Sequence, residues 1–189
     1  MKINIIAGHG LERVVGARGI ENVKEEILNR QLAKFLEEGL KKRGYITKYF
    51  SVNSPQSVLE ELKEECRLCN SHKANLNIFI HFNVYDGSAK GAEIFTWNAK
   101  DINGLCKRIL SNFKKNLGLV DRGIKCGNNL YVIKNTESKS MLIECCFIDN
   151  PYDFNILRKQ GIKKFADCII EAFEDINENT NNKCYICGK

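Results

Sequence analysis

Apolar residues along this chain fall into short runs that alternate with stretches of helical periodicity. Residues 2–7 read as a short buried strand that stops at Gly8-His9-Gly10. Between residues 23 and 42, Leu28, Leu32, Phe35 and Leu36 recur at the spacing of one helix face. A strand is predicted at 45–50, after Gly44. It is followed by a helix opened by Ser54 as N-cap, with Pro55 in its first turn and Val58, Leu59, Leu62, Cys66 and Cys69 as its apolar stripe. Leu76-Asn77-Ile78-Phe79-Ile80-His81 has the near-continuous apolar character of a strand covered on both faces, and it ends on a histidine. Further strands are predicted at 92–97, 129–133 and 141–146, and a helix at 101–115. A helical region opens at Asp149-Asn150-Pro151, breaks at Gly161 and carries Ile162, Phe165, Ala166, Ile169 and Phe173 to about residue 176. This alternation predicts an α/β protein: a three-layer α/β/α domain around a mostly parallel, twisted sheet of about six strands.

Length and composition narrow the picture to one domain. At 189 residues and 43% hydrophobic, the chain can bury one sizeable core but not two. That core is expected within residues 1–176, with 177–189 as a polar, asparagine-rich tail or the start of a linker. The net charge of +6 comes from 29 basic and 23 acidic residues spread along the chain, without a basic run or aromatic-basic interleaving. This argues against nucleic-acid reading and suits diffuse attraction to an anionic surface such as a bacterial wall. The N-terminal apolar run is too short for a signal peptide or a membrane span, so cytoplasmic synthesis and no membrane insertion are expected. Nine cysteines at irregular spacing, several inside apolar runs, suit reduced core thiols better than a disulfide framework.

Four polar residues interrupt the apolar pattern: His9, Glu25, His81 and Glu144. Glu25 lies three and seven residues before Leu28 and Leu32, which puts it in the apolar stripe of its helix, whereas Glu26 is turned about 100° away toward the polar flank. A buried carboxylate needs a cation, either a basic side chain or a metal. Glu144 breaks the run Met141 to Ile148 and raises the same question. His9 and His81 each follow the last apolar residue of a predicted strand, where ligand crevices of open α/β sheets lie. Two imidazoles and one carboxylate with an open fourth position form a recurring catalytic zinc environment, and a second carboxylate can move the proton. On pattern alone a plainer reading stands beside it: histidines bonded to backbone and glutamates paired with lysines.

The segments Ile6-Ala7-Gly8-His9-Gly10, Gly16-Ala17-Arg18-Gly19, the helix opening with Glu25, Ile80-His81-Phe82-Asn83, Gly91-Ala92-Glu93, Arg122-Gly123-Ile124-Lys125 and Leu142-Ile143-Glu144 occur in the order seen in one enzyme family. In this the chain resembles zinc-dependent N-acetylmuramoyl-L-alanine amidases of the Amidase_3 type, over about residues 2–175. The resemblance implies one catalytic zinc ion (Zn2+) on His9, Glu25 and His81, with Glu144 as catalytic glutamate and Asn83, Arg122 and Lys125 beside the substrate groove. It implies a peptidoglycan substrate, cut between the lactyl group of N-acetylmuramic acid and L-alanine. With no signal peptide expected, the chain looks more like a phage endolysin, reaching the wall after holin-type release, and a monomer is expected. Leu11 and Ser140-Met141 stand where the family usually has a glycine and a proline, and neither change removes a ligand. Rival readings are a zinc peptidase of related fold and a non-catalytic wall-binding module.

Other signals carry less. Cys66 and Cys69 extend their helix's apolar stripe and read as core, while Cys184 and Cys187 form half of a zinc knuckle at most. His72 reads as a solvated loop residue. Trp97 and Tyr131, in predicted strands, read as packing residues rather than sugar platforms.

Overall fold

The computed structural model describes residues 1–97 and 102–181, with side chains through residue 173. Six strands among the described residues form one sheet: β1 (Lys2–Ala7), β2 (Ile46–Ser51), β3 (Leu76–Asn83), β4 (Ala92–Thr96), β5 (Asp121–Cys126) and β6 (Lys139–Phe147). Their order is β2-β1-β3-β6-β4-β5. All pairings are parallel except that of β4 with β6. The α-helices among the described residues are α1 (Glu25–Lys42), α2 (Val58–His72), α3 (Asn103–Asn112), α4 (Tyr131–Asn135), α5 (Pro151–Gln160) and α6 (Ile162–Asn181).

Strand alternation divides the core between two faces. Ile3, Ile5 and Ala7 of β1 and Ile78, Ile80 and Phe82 of β3 pack with α1, α3 and α6 in the larger cluster, whereas Ile6, Phe79 and Leu142 pack with α2 and α4. The α2 face also buries a polar ladder: Asn4 Nδ2 donates to Asn77 Oδ1 at 2.8 Å, and Asn77 Nδ2 to Ser140 Oγ at 3.0 Å. Two residues further along the strands, His81 and Glu144 follow Asn77, Phe79, Ser140 and Leu142 on this side. The chain leaves β1 for β2 on one side and returns through α2 to β3 on the other. The crevice at the carboxyl ends of β1 and β3 is therefore the topological switch point where open α/β sheets bind ligands.

Several elements differ from expectation. Residues 129–133 are not a strand: Tyr131–Asn135 is α4, closed by Asn135 Nδ2 on Tyr131 O (2.8 Å) and Thr136 Oγ1 on Val132 O (2.7 Å). Five apolar-rich residues are too few for periodicity to separate strand from helix. The missing strand is β5, whose Asp121, Arg122 and Lys125 suit a sheet edge that charges protect from further pairing. Ser57, not Ser54, caps α2, its hydroxyl accepting Glu60 N at 3.2 Å. Val58 and Leu59 are exposed while Glu61 and Glu65 are buried, so the stripe of α2 is partly acidic. Phe35 is exposed at the margin of its stripe, and Glu26 is buried rather than solvated. The strand at 76–81 continues two residues past His81 to Asn83. His72 ends α2 and bonds Asn4 Oδ1 through Nδ1 at 2.6 Å, so it closes the polar ladder instead of sitting in a loop. Trp97 is exposed. The last helix runs past residue 176 to Asn181.

Ser57→Ala is expected to cost about 1 kcal/mol of stability, the usual worth of an N-cap hydroxyl. Urea unfolding at a fixed pH would measure it, and Ser54→Ala should show no such loss.

The seven described cysteines are free thiols. Burial pushes the Cys66 thiol up to about 11, with Glu65 adding to it, and Cys69 is buried beside it. That is the behaviour of core residues, not of metal thiolates. The Cys184 and Cys187 pair lies outside the described residues. Among the described residues no helix is long and apolar enough to cross a membrane.

Candidate metal centre

The chain brings His9, Glu25 and His81 together from three separate elements. Glu25 is the first residue of α1 and reaches across the switch-point crevice. Its Oε1 lies 3.0 Å from His81 Nδ1 and 3.2 Å from His9 Nε2. One ligand atom from each residue can be chosen so that all lie within 4.8 Å of one another. The two rings meet edge to face with centroids 4.9 Å apart.

Main-chain donors fix the carboxylate. Glu25 Oε2 accepts Ala17 N at 2.8 Å, and Oε1 accepts Phe82 N at 3.2 Å. Asn29, one turn along α1 and fully buried, donates to Gly8 O at 3.0 Å and reaches Glu25 Oε1 at 3.5 Å. Burial alone would raise the proton affinity of Glu25, but the hydrogen bonds and charges of His81 and His9 outweigh it and hold the carboxylate well below its ordinary range. For His9, burial opposes the charged ring, yet the hydrogen bond it donates to Glu25 and the charges of Glu25, Glu61 and Glu26 push its pKa up. The neighbouring Glu26 faces away and takes Arg18 Nη1 at 2.7 Å, which accounts for its burial.

Glycines make room for this cluster. A Cβ on Gly16 would sit 2.9 Å from Glu25 Oε2 and from His9 Cδ2, and one on Gly8 would fall on the His81 ring. His9 itself has φ 67°, left-handed backbone that costs a non-glycine residue about 1–2 kcal/mol. Strain of this kind collects where a side chain must be aimed.

Glu144 stands in register with His81 on one side and Glu93 on the other. Its Oε2 is buried without a hydrogen-bond partner. Burial, then repulsion from Glu25 and Glu93, raises its pKa well above the ordinary carboxylate range. Glu93 is satisfied instead by Arg122 Nε at 3.0 Å and Asn83 Nδ2 at 3.4 Å, with the Arg122 guanidinium stacked over Phe147 at 4.8 Å. Asn83 and Arg122 thus meet at Glu93, across the ladder from Glu144. Lys125 is exposed at the other end of β5, in a hollow with Trp97 and Lys107. The structure does not bring it to the cluster.

The donor set fits a divalent cation. Two imidazole nitrogens converge on one carboxylate oxygen, which is the ligand chemistry of a zinc position with room for a further ligand. Among the described residues no donor reaches the nearby Glu144 Oε2. Three further residues border the cluster: Glu93, which the resemblance includes in Gly91-Ala92-Glu93 without a role, Asn29, in sequence only a polar residue one turn after Glu25, and Glu61, in sequence only an acid inside a helix stripe.

The chain matches the family of N-acetylmuramoyl-L-alanine amidases over residues 3–175. It is 32% identical over 177 residues to N-acetylmuramoyl-L-alanine amidase LytC of Bacillus subtilis, covering 92% of this chain and 34% of LytC. It is 30% identical over 163 residues to the endolysin of Bacillus phage SPP1, covering 82% of this chain and 58% of the endolysin. Each of these relatives is thus much longer than the part that this chain spans. Among solved structures, the catalytic domain of the CD27L endolysin targeting Clostridia difficile superposes with a TM-score of 0.80 at 28% identity, covering 93% of this chain and 97% of that domain. Cwp6 from Clostridium difficile superposes at 0.81 with 26% identity, covering 92% and 29%.

Proposed function

The chain belongs to the N-acetylmuramoyl-L-alanine amidase family, and on that premise we propose that it is a zinc-dependent hydrolase of the amide bond between the lactyl group of N-acetylmuramic acid and L-alanine in peptidoglycan. The observation that carries this reading is the meeting of His9, Glu25 and His81 at the switch point, one register step from the unpartnered Glu144.

In this reading His9, Glu25 and His81 hold the ion. When bound, it supplies Lewis acidity, polarising the scissile carbonyl and acidifying a water. Glu144, in the ionised form that a cation held beside it would favour, takes the proton of the attacking water and hands it to the leaving nitrogen, so that the alanine departs as an amine. Its buried Oε2 suits that task, because among the described residues no hydrogen bond to it must break before it accepts. Glu93 holds Arg122 and Asn83 in place, which presents a cation and an amide to the substrate beside Glu144. The likeness to a phage endolysin favours a lytic role on the wall.

Purified peptidoglycan is the test material. New N-terminal alanine should appear without new reducing sugar ends, stop when a chelator is added and return with zinc. Cleavage only within free stem peptides would favour a zinc peptidase. Sedimentation with walls but no new amino groups would mean a binding module.

A further inference from the structure

The ring of His9 lies between two carboxylates. Nε2 faces Glu25 at 3.2 Å, and Nδ1 is 4.0 Å from Oε2 of Glu61. Glu61 comes from the first turn of α2, on the other side of the sheet from α1, and is only 3% exposed. Its Oε1 has no hydrogen-bond partner among the described residues. A buried carboxylate in that position needs a cation or a proton donor facing it; the His9 ring, Arg30 and the Gly10 backbone N–H supply this, against the charge of Glu25, and Glu65 lies one turn further along α2.

Arg30 grips the same residue from the main-chain side. Its Nη1 donates to His9 O at 2.7 Å and to Glu26 O at 2.9 Å, while Nη2 donates to Val52 O at 3.3 Å and Asn53 Oδ1 at 3.0 Å. These bonds tie the left-handed His9 backbone to α1 and to the segment after β2.

We propose that Glu61 and Arg30 are a positioning pair for His9: Arg30 fixes its backbone, and Glu61 keeps the imidazole proton on Nδ1 so that Nε2 offers its lone pair to the metal position. A neutral imidazole carries one N–H, and the nitrogen that keeps it is set by the partner on that side. A separation of 4.0 Å exceeds a direct hydrogen bond, so Glu61 acts through its charge or through one bridging water. Neither residue has a direct part in the chemistry, since both act through His9. The inference rests on the metal-dependent reading given above.

The test uses the whole chain, stripped of metal and titrated with zinc against a chromophoric chelator. Glu61→Gln is expected to weaken zinc binding by about 10–100-fold, Glu61→Asp to recover most of it, and Glu65→Gln to stay within about twofold. Glu65 is the control because it is buried one turn further along α2 and faces Glu61 and Arg30 rather than His9. In zinc-loaded protein, long-range 15N–1H spectra should show His9 protonated on Nδ1, with that signal lost or broadened in Glu61→Gln. Unchanged zinc affinity and an unchanged Nδ1–H signal in Glu61→Gln would overturn the proposal. If that variant does not fold, the parent spectrum decides, because an Nε2-protonated His9 overturns it equally. A parent chain that takes up no zinc overturns both this inference and the metal-dependent reading. Zinc uptake with the expected Glu61 dependence but no wall hydrolysis removes the amidase activity and leaves the positioning pair standing.

Discussion

Glu144→Gln is expected to lower amide hydrolysis by about 10²–10⁴-fold, the range that a general acid-base group supplies, while leaving the fold at least as stable at neutral pH. The two effects share one cause. Glu144 is held by burial and by the charges of Glu25 and Glu93 in a state that resists ionisation, and its Oε2 has no partner. A carboxyl whose folded pKa is raised stabilises the fold fully below the ordinary carboxylate range, about pH 4, and that contribution is lost as pH rises through the folded value. Glu144's contribution to the metal-free parent should therefore fall on going from about pH 4 toward neutral, and Glu144→Gln should remove that part of the pH dependence. Melting temperature against pH for chelated parent and variant measures the stability half, and turnover on wall fragments measures the catalytic half. A variant that hydrolyses the wall at close to the parent rate would remove Glu144 from the chemistry. A variant that melts well below the parent would mean that its carboxylate has a structural partner.

The contrast between Glu144 and Glu25 shows how the site divides its work. Both are acids that interrupt apolar runs, Glu25 buried and Glu144 half-buried with its Oε2 covered, and sequence pattern treats them alike. In the fold, Glu25 gathers two imidazoles and two backbone amides and is held ionised, whereas Glu144 gathers acids and is pushed toward the protonated form. Environments that drive two carboxylates apart mark one as a charge holder and the other as a proton carrier.

Periodicity made much of this legible. The strands around residues 2–7, 45–50 and 76–81 and the broken terminal helix at Gly161 follow from apolar runs and caps, and Glu25 points inward because helix phase puts it there. What escaped has identifiable causes. β5 is an edge strand with a charged sequence, so nothing apolar announced it. Residues 131–135 are too short to show a period, and their helix is settled by capping and by packing against α2. Glu26 looked solvated because its partner, Arg18, comes from a loop that local pattern cannot place. Glu61 and Asn29 come to the site only through tertiary approach, and a polar residue on a half-polar helix gives no local sign of it; Glu93 lies in a segment that carries the family resemblance, but its hold on Arg122 and Asn83 is tertiary. Lys125 illustrates the converse: it is two residues from Gly123 and three from Arg122, yet parallel pairing with β4 carries it along the sheet away from Glu144.

Gly8→Ala is expected to abolish tight metal binding while most of the fold survives. The added Cβ would fall on Cε1 and Nε2 of His81, well inside van der Waals contact. Two responses could relieve that overlap. Gly8 cannot easily retreat, because its N–H donates to Ile80 O at 3.2 Å and its carbonyl accepts Asn29 Nδ2 at 3.0 Å. The His81 ring can swing about its side-chain torsions, so it yields first and gives up its 3.0 Å contact with Glu25. Overpacking relieved in this way costs about 1–3 kcal/mol of stability, whereas zinc affinity should fall by about 100-fold or more, since a ligand itself is displaced and outer-shell changes alone already cost 10–100-fold. Gly19→Ala provides the comparison, because its Cβ would strike the Ile148 carbonyl, part of the main chain that cannot rotate aside. That variant should lose stability before it loses any specific affinity. Zinc titration beside urea unfolding separates the two, and equal zinc affinity in Gly8→Ala and parent would show that His81 does not need the space that the glycine leaves.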